Sequence, residues 1–383
     1  MALHFERSEF DERLQKVLAD MKDRKLDAML LFAPESHFWL TGYDTFGFCF
    51  FQCLILKKDG SYVLFTRAPD LRQAHHTSII EDIRIWVDRG EGSPIGQLKD
   101  LLFDLDLLGS QLGVEYDTHG LSGRNSRLLD EALRSFAELQ DASDLIPRRR
   151  VVKSPAEIAY VRKAAELADE AYRAGEAEIR AGADEGRILA AMQGAVLAGG
   201  GDYPGNEFII GSGMDALLCR YKSGRRQLGA KDQLTLEFAG VYRHYHVALM
   251  RTVLTGEATP RHIELHEAAT AALAAVEEVM RPGNTFGDVF DAHAGEMDRR
   301  NLMPHRLNAC GYSLGARFAP SWMDWPMFYR GNKVGIEPNM VLFAHMILMD
   351  SETNTAMTLG CTYLTSEAEP RPLSELSRDL VVR

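Results

Sequence analysis

Charged and apolar residues interleave from Met1 to Leu26 as they do along an amphipathic helix, and the apolar run Asp27 to Pro34 after it reads as a buried strand. Between Phe46 and Thr66 two apolar runs flank Lys57-Lys58-Asp59-Gly60-Ser61, where Asp-Gly supplies the positive φ of a tight hairpin turn. A strand at Gln111–Asp117 and a helix at Gly120–Ala137 extend this α/β pattern, which closes near Ile146. Ser154-Pro155-Ala156-Glu157 then combines an N-cap, a proline at the first helical position and a capping-box glutamate, so a long helix is predicted up to Gly182. A second helical pattern starts at Pro260, breaks at Pro282-Gly283 and resumes after Asn284. Leu236–Gly256 reads as a hairpin, and strands are predicted again at Gly335–Asp350 and Thr355–Glu367. The pattern divides the chain into two domains, residues 1–150 and 151–383, as expected where one core would be too large.

Composition narrows the class. With 46% hydrophobic and 26% charged residues the chain reads as a soluble globular protein. No apolar run approaches a membrane span, and the charged N-terminus is unlike a signal peptide, so a cytoplasmic location is expected. Five scattered cysteines read as buried free thiols rather than as a disulfide or zinc framework. A net charge of −12 argues against a nucleic-acid partner. The basic cluster Pro147–Lys153 reads as a linker.

Six landmarks in order carry a family resemblance: Val151–Ala165, Gly211-Ser212-Gly213, the Leu236–Thr252 hairpin, Arg281–Val289, Gly311–Gly315 and Ile336–Met346. Together they resemble the pita-bread hydrolases, which include methionine aminopeptidase, prolidase, creatinase and ectoine hydrolase. The resemblance implies an α/β (α+β) chain, with a creatinase-like N-terminal domain and a pita-bread C-terminal domain built on a curved antiparallel sheet. It also implies a homodimer. Metal-dependent members place two aspartates on the hairpin, a histidine in a glycine turn and two later glutamates. Here these positions fall on Glu237, Ala248, Tyr312, His345 and a point near Gly360, so one acidic ligand of the set survives. A two-metal site needs bridging carboxylates. The resemblance therefore implies the metal-free branch, with no cofactor.

Within that branch, the catalytic histidine of creatinase falls on Arg220, and the glutamates that hold its substrate fall on Met250 and His345. Exchanging anionic for cationic partners points to a small-molecule substrate bearing a carboxylate. The segment Pro34–Cys53 resembles that of the ectoine-hydrolysing members, which implies C–N hydrolysis of ectoine, hydroxyectoine or a related compound. Strand parity places His244, His246, Ala248 and Met250 on one face. Glu237, His246 and His345 are the expected catalytic groups, and Arg220, His244, Tyr312, Trp39, Tyr43 and Asp44 the expected substrate contacts. Arg251, on the opposite face, reads as a structural ion-pair partner. Trp322, Trp325 and Phe328 read equally as packing or as a substrate wall, and Glu207 as a second acid or a surface carboxylate. The alternatives are a peptidase with a single metal on Glu237, His246 and His345, a creatinase-type amidinohydrolase, and a non-catalytic binding homologue.

Overall fold

A computed structural model describes residues 3–88 and 93–383. The chain divides into two compact units, Met1–Arg150 and Val151–Arg383.

In the first unit a mixed sheet runs in the order β4-β3-β2-β1-β5-β6. Its strands are β1 (Ala28–Leu31), β2 (Cys53–Lys57), β3 (Tyr62–Arg67), β4 (Asp82–Trp86), β5 (Gln111–Val114) and β6 (Glu138–Asp141). The helices are α1 (Arg7–Asp23), α2 (Pro34–Thr41), α3 (Leu71–Thr77), α4 (Pro94–Asp104), α5 (Gly123–Leu133) and α6 (Leu145–Arg150). Met1 and Ala2, included in the predicted opening helix, lie outside the described residues. Alternate residues of β1 feed two apolar layers, Ala28 and Leu30 on one face and Met29 and Leu31 on the other. The predicted hairpin forms only from Cys53 onward, because Gly47–Cys49 is a 3₁₀ turn that leaves Phe46 and Phe50 exposed. The basic cluster spans the boundary between the two units. Its arginines close α6, where Arg148 pairs with Asp144 and Arg149 with Asp20.

The second unit repeats one scheme twice: two helices, a short strand and a long hairpin. Its first half contains α7 (Pro155–Glu178), α8 (Glu185–Ala198), β7 (Ile209–Ser212), β8 (Asp232–Tyr242) and β9 (Tyr245–Thr255). Its second contains α9 (Pro260–Val279), α10 (Phe286–Arg299), β10 (Ala309–Ser313), β11 (Asp324–Tyr329), β12 (Val341–Asp350) and β13 (Thr355–Leu364), with short strands β14 (Arg371–Pro372) and β15 (Val381–Val382). The sheet order is β11-β10-β12-β13-β9-β8-β7, and every pairing along that path is antiparallel. The Ser154 capping box forms as read, and Glu157 also accepts the Tyr245 hydroxyl at 2.7 Å, tying the start of α7 to β9. No helix among the described residues is long and apolar enough to cross a membrane.

Small residues set how closely α7 lies on the sheet. Ala164 and Ala168 are fully buried, and a Cβ added to Gly240 of β8 would sit 1.9 Å from the Ala164 carbonyl oxygen and 2.3 Å from the Ala168 nitrogen. Gly240→Ala must push helix and sheet apart. It is expected to lower stability by about 2–3 kcal/mol, read as a lower urea midpoint at unchanged m-value. An unchanged midpoint would contradict this packing.

Candidate active site

The hairpin register pairs Glu237 with Met250 and Ala239 with Ala248. Across the sheet, Met250 pairs with Gly360 and Gly360 with His345. Directly opposed residues share a face, so Glu237, Met250, Gly360 and His345 form one row. The next row along contains Ala239, Ala248, Thr362, Phe343 and Tyr312. Tyr312, Phe343 and His345 touch one another, with ring centroids 5.4–5.7 Å apart.

Glu237 is the one carboxylate among these positions, and it is buried at 8% exposure. Burial lifts its pKa to about 7, opposed by the Arg220 charge and more weakly by the Tyr312 hydroxyl. The Tyr312 hydroxyl accepts the Trp322 indole N–H at 2.9 Å. Burial and the neighbouring Glu237 push that hydroxyl well above its ordinary range, so it stays protonated. Arg220 is largely exposed, yet its charge is felt at Glu237, Tyr312 and His345. The adjacent Cys219 thiol, raised by burial and by Glu237, is a neighbour that the sequence did not reveal.

The expected histidines separate. His345 lines the row, but burial and the nearby His293 lower its pKa to about 3. His246 lies four residues along β9 from Met250, about 13 Å at the rise of a strand. Its Nε2 accepts the Gly205 N–H at 2.9 Å, and burial lowers its pKa to about 3. With these shifts both imidazoles are neutral at pH 7, so neither is present as an imidazolium acid. His244 is not on the strand at all. It and Arg243 form the two-residue turn with positive φ, and its ring stacks on Phe318 at 4.1 Å.

Other expectations are corrected by burial and pairing. Trp39 and Tyr43 belong to the core of the first unit, with Trp39 against the Arg13 guanidinium and Tyr43 accepting from Gln52. They are therefore not open surfaces for a substrate. Asp44 is part-exposed, with His4 Nε2 2.9 Å from its Oδ2. Among the described residues Arg251 has no acidic partner, and it donates instead to backbone carbonyls. Glu207 is a surface carboxylate paired with Lys222. Of the three aromatics, Trp322 joins the site through Tyr312, whereas Phe328 stacks on Phe286 and Trp325 packs against the core of α9 and α10.

These donors do not fit a metal centre. Ala248, Met250 and Gly360 offer no carboxylate, and a Cβ at Gly360 would meet the Phe343 ring at 2.8 Å. Among the described residues, no three His, Cys, Asp or Glu side chains converge to hold an ion, the trio Glu237, His246 and His345 included.

Residues 159–364 match the model of metallopeptidase family M24, and residues 13–152 match the creatinase/prolidase N-terminal domain. The chain belongs to metallopeptidase family M24. It is a hydrolase of that family, built from the creatinase N-terminal and pita-bread domains that the landmarks implied. Among M24 relatives, the ectoine hydrolase of Halomonas elongata is 26% identical over 401 aligned positions, covering 100% of this chain and 99% of that one. The Xaa-Pro dipeptidase of Pyrococcus furiosus is 21% identical, covering 86% and 88%. The solved prolidase of Thermococcus sibiricus shares the fold, with a TM-score of 0.87 at 18% identity over 98% and 99% of the two chains.

The raised pKa of Glu237 has a consequence for stability. Its folded value of about 7 exceeds the ordinary 4.5, so the protonated carboxyl stabilises the fold below pH 4.5 and that contribution is lost as pH rises to 7. Glu237→Gln mimics the protonated state. It should be more stable than the parent at pH 8, by on the order of 2 kcal/mol, with the gain vanishing near pH 4. Equal stability at pH 8 would contradict the buried carboxylate.

Proposed function

We propose that the chain is a metal-independent hydrolase that opens a C–N bond in a small carboxylate-bearing compound, with ectoine and hydroxyectoine as its substrates. The observation that carries this reading is Glu237: a lone buried carboxylate with a pKa of about 7, beside the Tyr312 hydroxyl and the Arg220 charge. A carboxyl near neutrality can both take and return a proton at the working pH. Ionised Glu237 removes a proton from water as the oxygen bonds to the amidine carbon. The C–N bond of the adduct then breaks, and protonated Glu237 delivers its proton to the departing nitrogen. Glu237 thus fills both roles, which the two neutral histidines cannot share. Arg220 holds the substrate carboxylate. The whole-length likeness to an ectoine hydrolase supports this substrate class.

Turnover of ectoine, hydroxyectoine, creatine and Xaa-Pro dipeptides tests the reading. The cyclic amidines should be opened, and kcat/KM should rise with pH through a midpoint near 7. Glu237→Gln should lower kcat by roughly 10²- to 10⁴-fold. Cleavage of the dipeptides alone would favour the peptidase, and no turnover at all a binding homologue. Full kcat in Glu237→Gln would remove the assigned role.

The same reading includes a homodimer, supported by Phe46 at 82% exposure and Phe50 at 52% beside the Tyr43-Asp44 segment. Light scattering should give twice the mass of the chain; a fully active monomer would contradict it.

A further inference from the structure

Glu185 opens α8, yet it is wholly buried. One carboxylate oxygen accepts the Ser212 N–H at 2.8 Å and the Ser212 hydroxyl at 2.6 Å. The other accepts the backbone N–H groups of Arg225 and Arg226, at 3.1 and 3.2 Å, and the Tyr221 hydroxyl at 3.2 Å. The two oxygens therefore hold different things: one the end of β7, the other the segment that follows Arg220. Arg226 closes the circuit, its guanidinium donating to the Ser212 hydroxyl at 2.6 Å. A buried carboxylate with five donors is a strong, directional fastening, because each bond is charge-assisted in a low-dielectric setting.

What it fastens bears on the site. β7 pairs with β8 so that Ile209 lies opposite Glu237. The Arg220–Arg226 segment is thereby anchored to the strand next to the one that carries the carboxylate. A second staple, Ser223, accepts the Ile210 N–H at 2.6 Å and donates to the Phe208 carbonyl at 2.7 Å. Among the described residues, the Arg220 side chain has one hydrogen bond, to the Cys219 carbonyl, which does not fix its direction from outside the segment. Its position depends on the backbone that carries it.

We propose that Glu185 is a positioning residue of the active site, tying the Arg220–Arg226 segment to β7 and so holding the Arg220 guanidinium beside Glu237. This inference rests on the reading of Arg220 as the cationic group of the site. Glutamine at position 185 has an amide N–H₂ in place of one oxygen, and it would face N–H donors on whichever side it points. One of the two attachments is lost, while the Ser223 staple keeps the segment on the fold.

The test is the titration of Glu237 by carboxyl-¹³C NMR, with its signal assigned by loss in Glu237→Gln. The groups that face Glu237 are Arg220, Cys219 and Tyr312, so replacing the one cation has a defined sign. Arg220→Ala should raise the Glu237 midpoint by roughly one unit. Glu185→Gln should raise it comparably, and adding Glu185→Gln to Arg220→Ala should add nothing further. Tyr221→Phe, which removes a single bond, should give a smaller shift in the same direction and serves if Glu185→Gln folds poorly. If Arg220→Ala moves the midpoint while Glu185→Gln and Tyr221→Phe do not, Glu185 is only structural and the proposal is overturned. If none of the variants moves it, Arg220 does not act at Glu237, and both the proposal and the role of Arg220 fall. If the midpoints move as expected but ectoine is not turned over, the positioning role stands and the substrate reading fails.

Discussion

The buried Arg251 guanidinium donates to the carbonyls of Met250 and Gly360, at 2.8 Å each, where β9 and β13 share only two paired positions. The Ser377 carbonyl, 3.2 Å from Nε, meets it from the C-terminal segment. A guanidinium supplies donors in a fixed fork, so this one can bridge two strands and a third segment without a carboxylate. The join it secures is the one that carries the row Glu237, Met250, Gly360 and His345 from one half of the second unit to the other. A slip of one residue there would turn every side chain of one half to the opposite face. The site depends on that register.

The chemistry of the row follows from what borders Glu237. At the positions that the family resemblance assigns to metal-binding carboxylates, this chain keeps Glu237 but has Ala248, His345 and a point near Gly360, and the Phe343 ring fills the space a side chain at Gly360 would need. A lone carboxylate among apolar and aromatic groups loses hydration that its neighbours only partly replace. Arg220 and Tyr312 oppose that loss without overcoming it, which leaves the carboxyl close to neutral pH. The same apolar replacement that disfavours metal binding thus tunes the remaining acid. The histidines experience the same desolvation with the opposite sign and become poor proton carriers.

Much of this was legible in the sequence because it rests on local rules. Ser154, Pro155 and Glu157 announced α7 through capping chemistry, and the eleven-residue spacing of Glu237 and Ala248 placed both on one face once a hairpin was assumed. His244 was misplaced because its turn uses Arg243-His244 at positive φ, without the Asn-Gly or Asp-Gly signal that marks such turns. Shared parity put His246 on the same face but could not show that it lies two rows beyond Glu237 and Met250. Trp39 and Tyr43 matched a family segment, but a motif does not report burial. Glu185, Trp322 and Cys219 reach their partners only through long-range folding, and no spacing in the chain announces them.

Elemental analysis of the same purified sample whose ectoine turnover is measured, prepared without added metal and assayed with a chelator present, tests the central claim most directly. The account predicts far less than one equivalent of zinc, manganese or iron and turnover that the chelator leaves intact. A near-stoichiometric metal whose removal abolishes turnover, and whose return restores it, would contradict it.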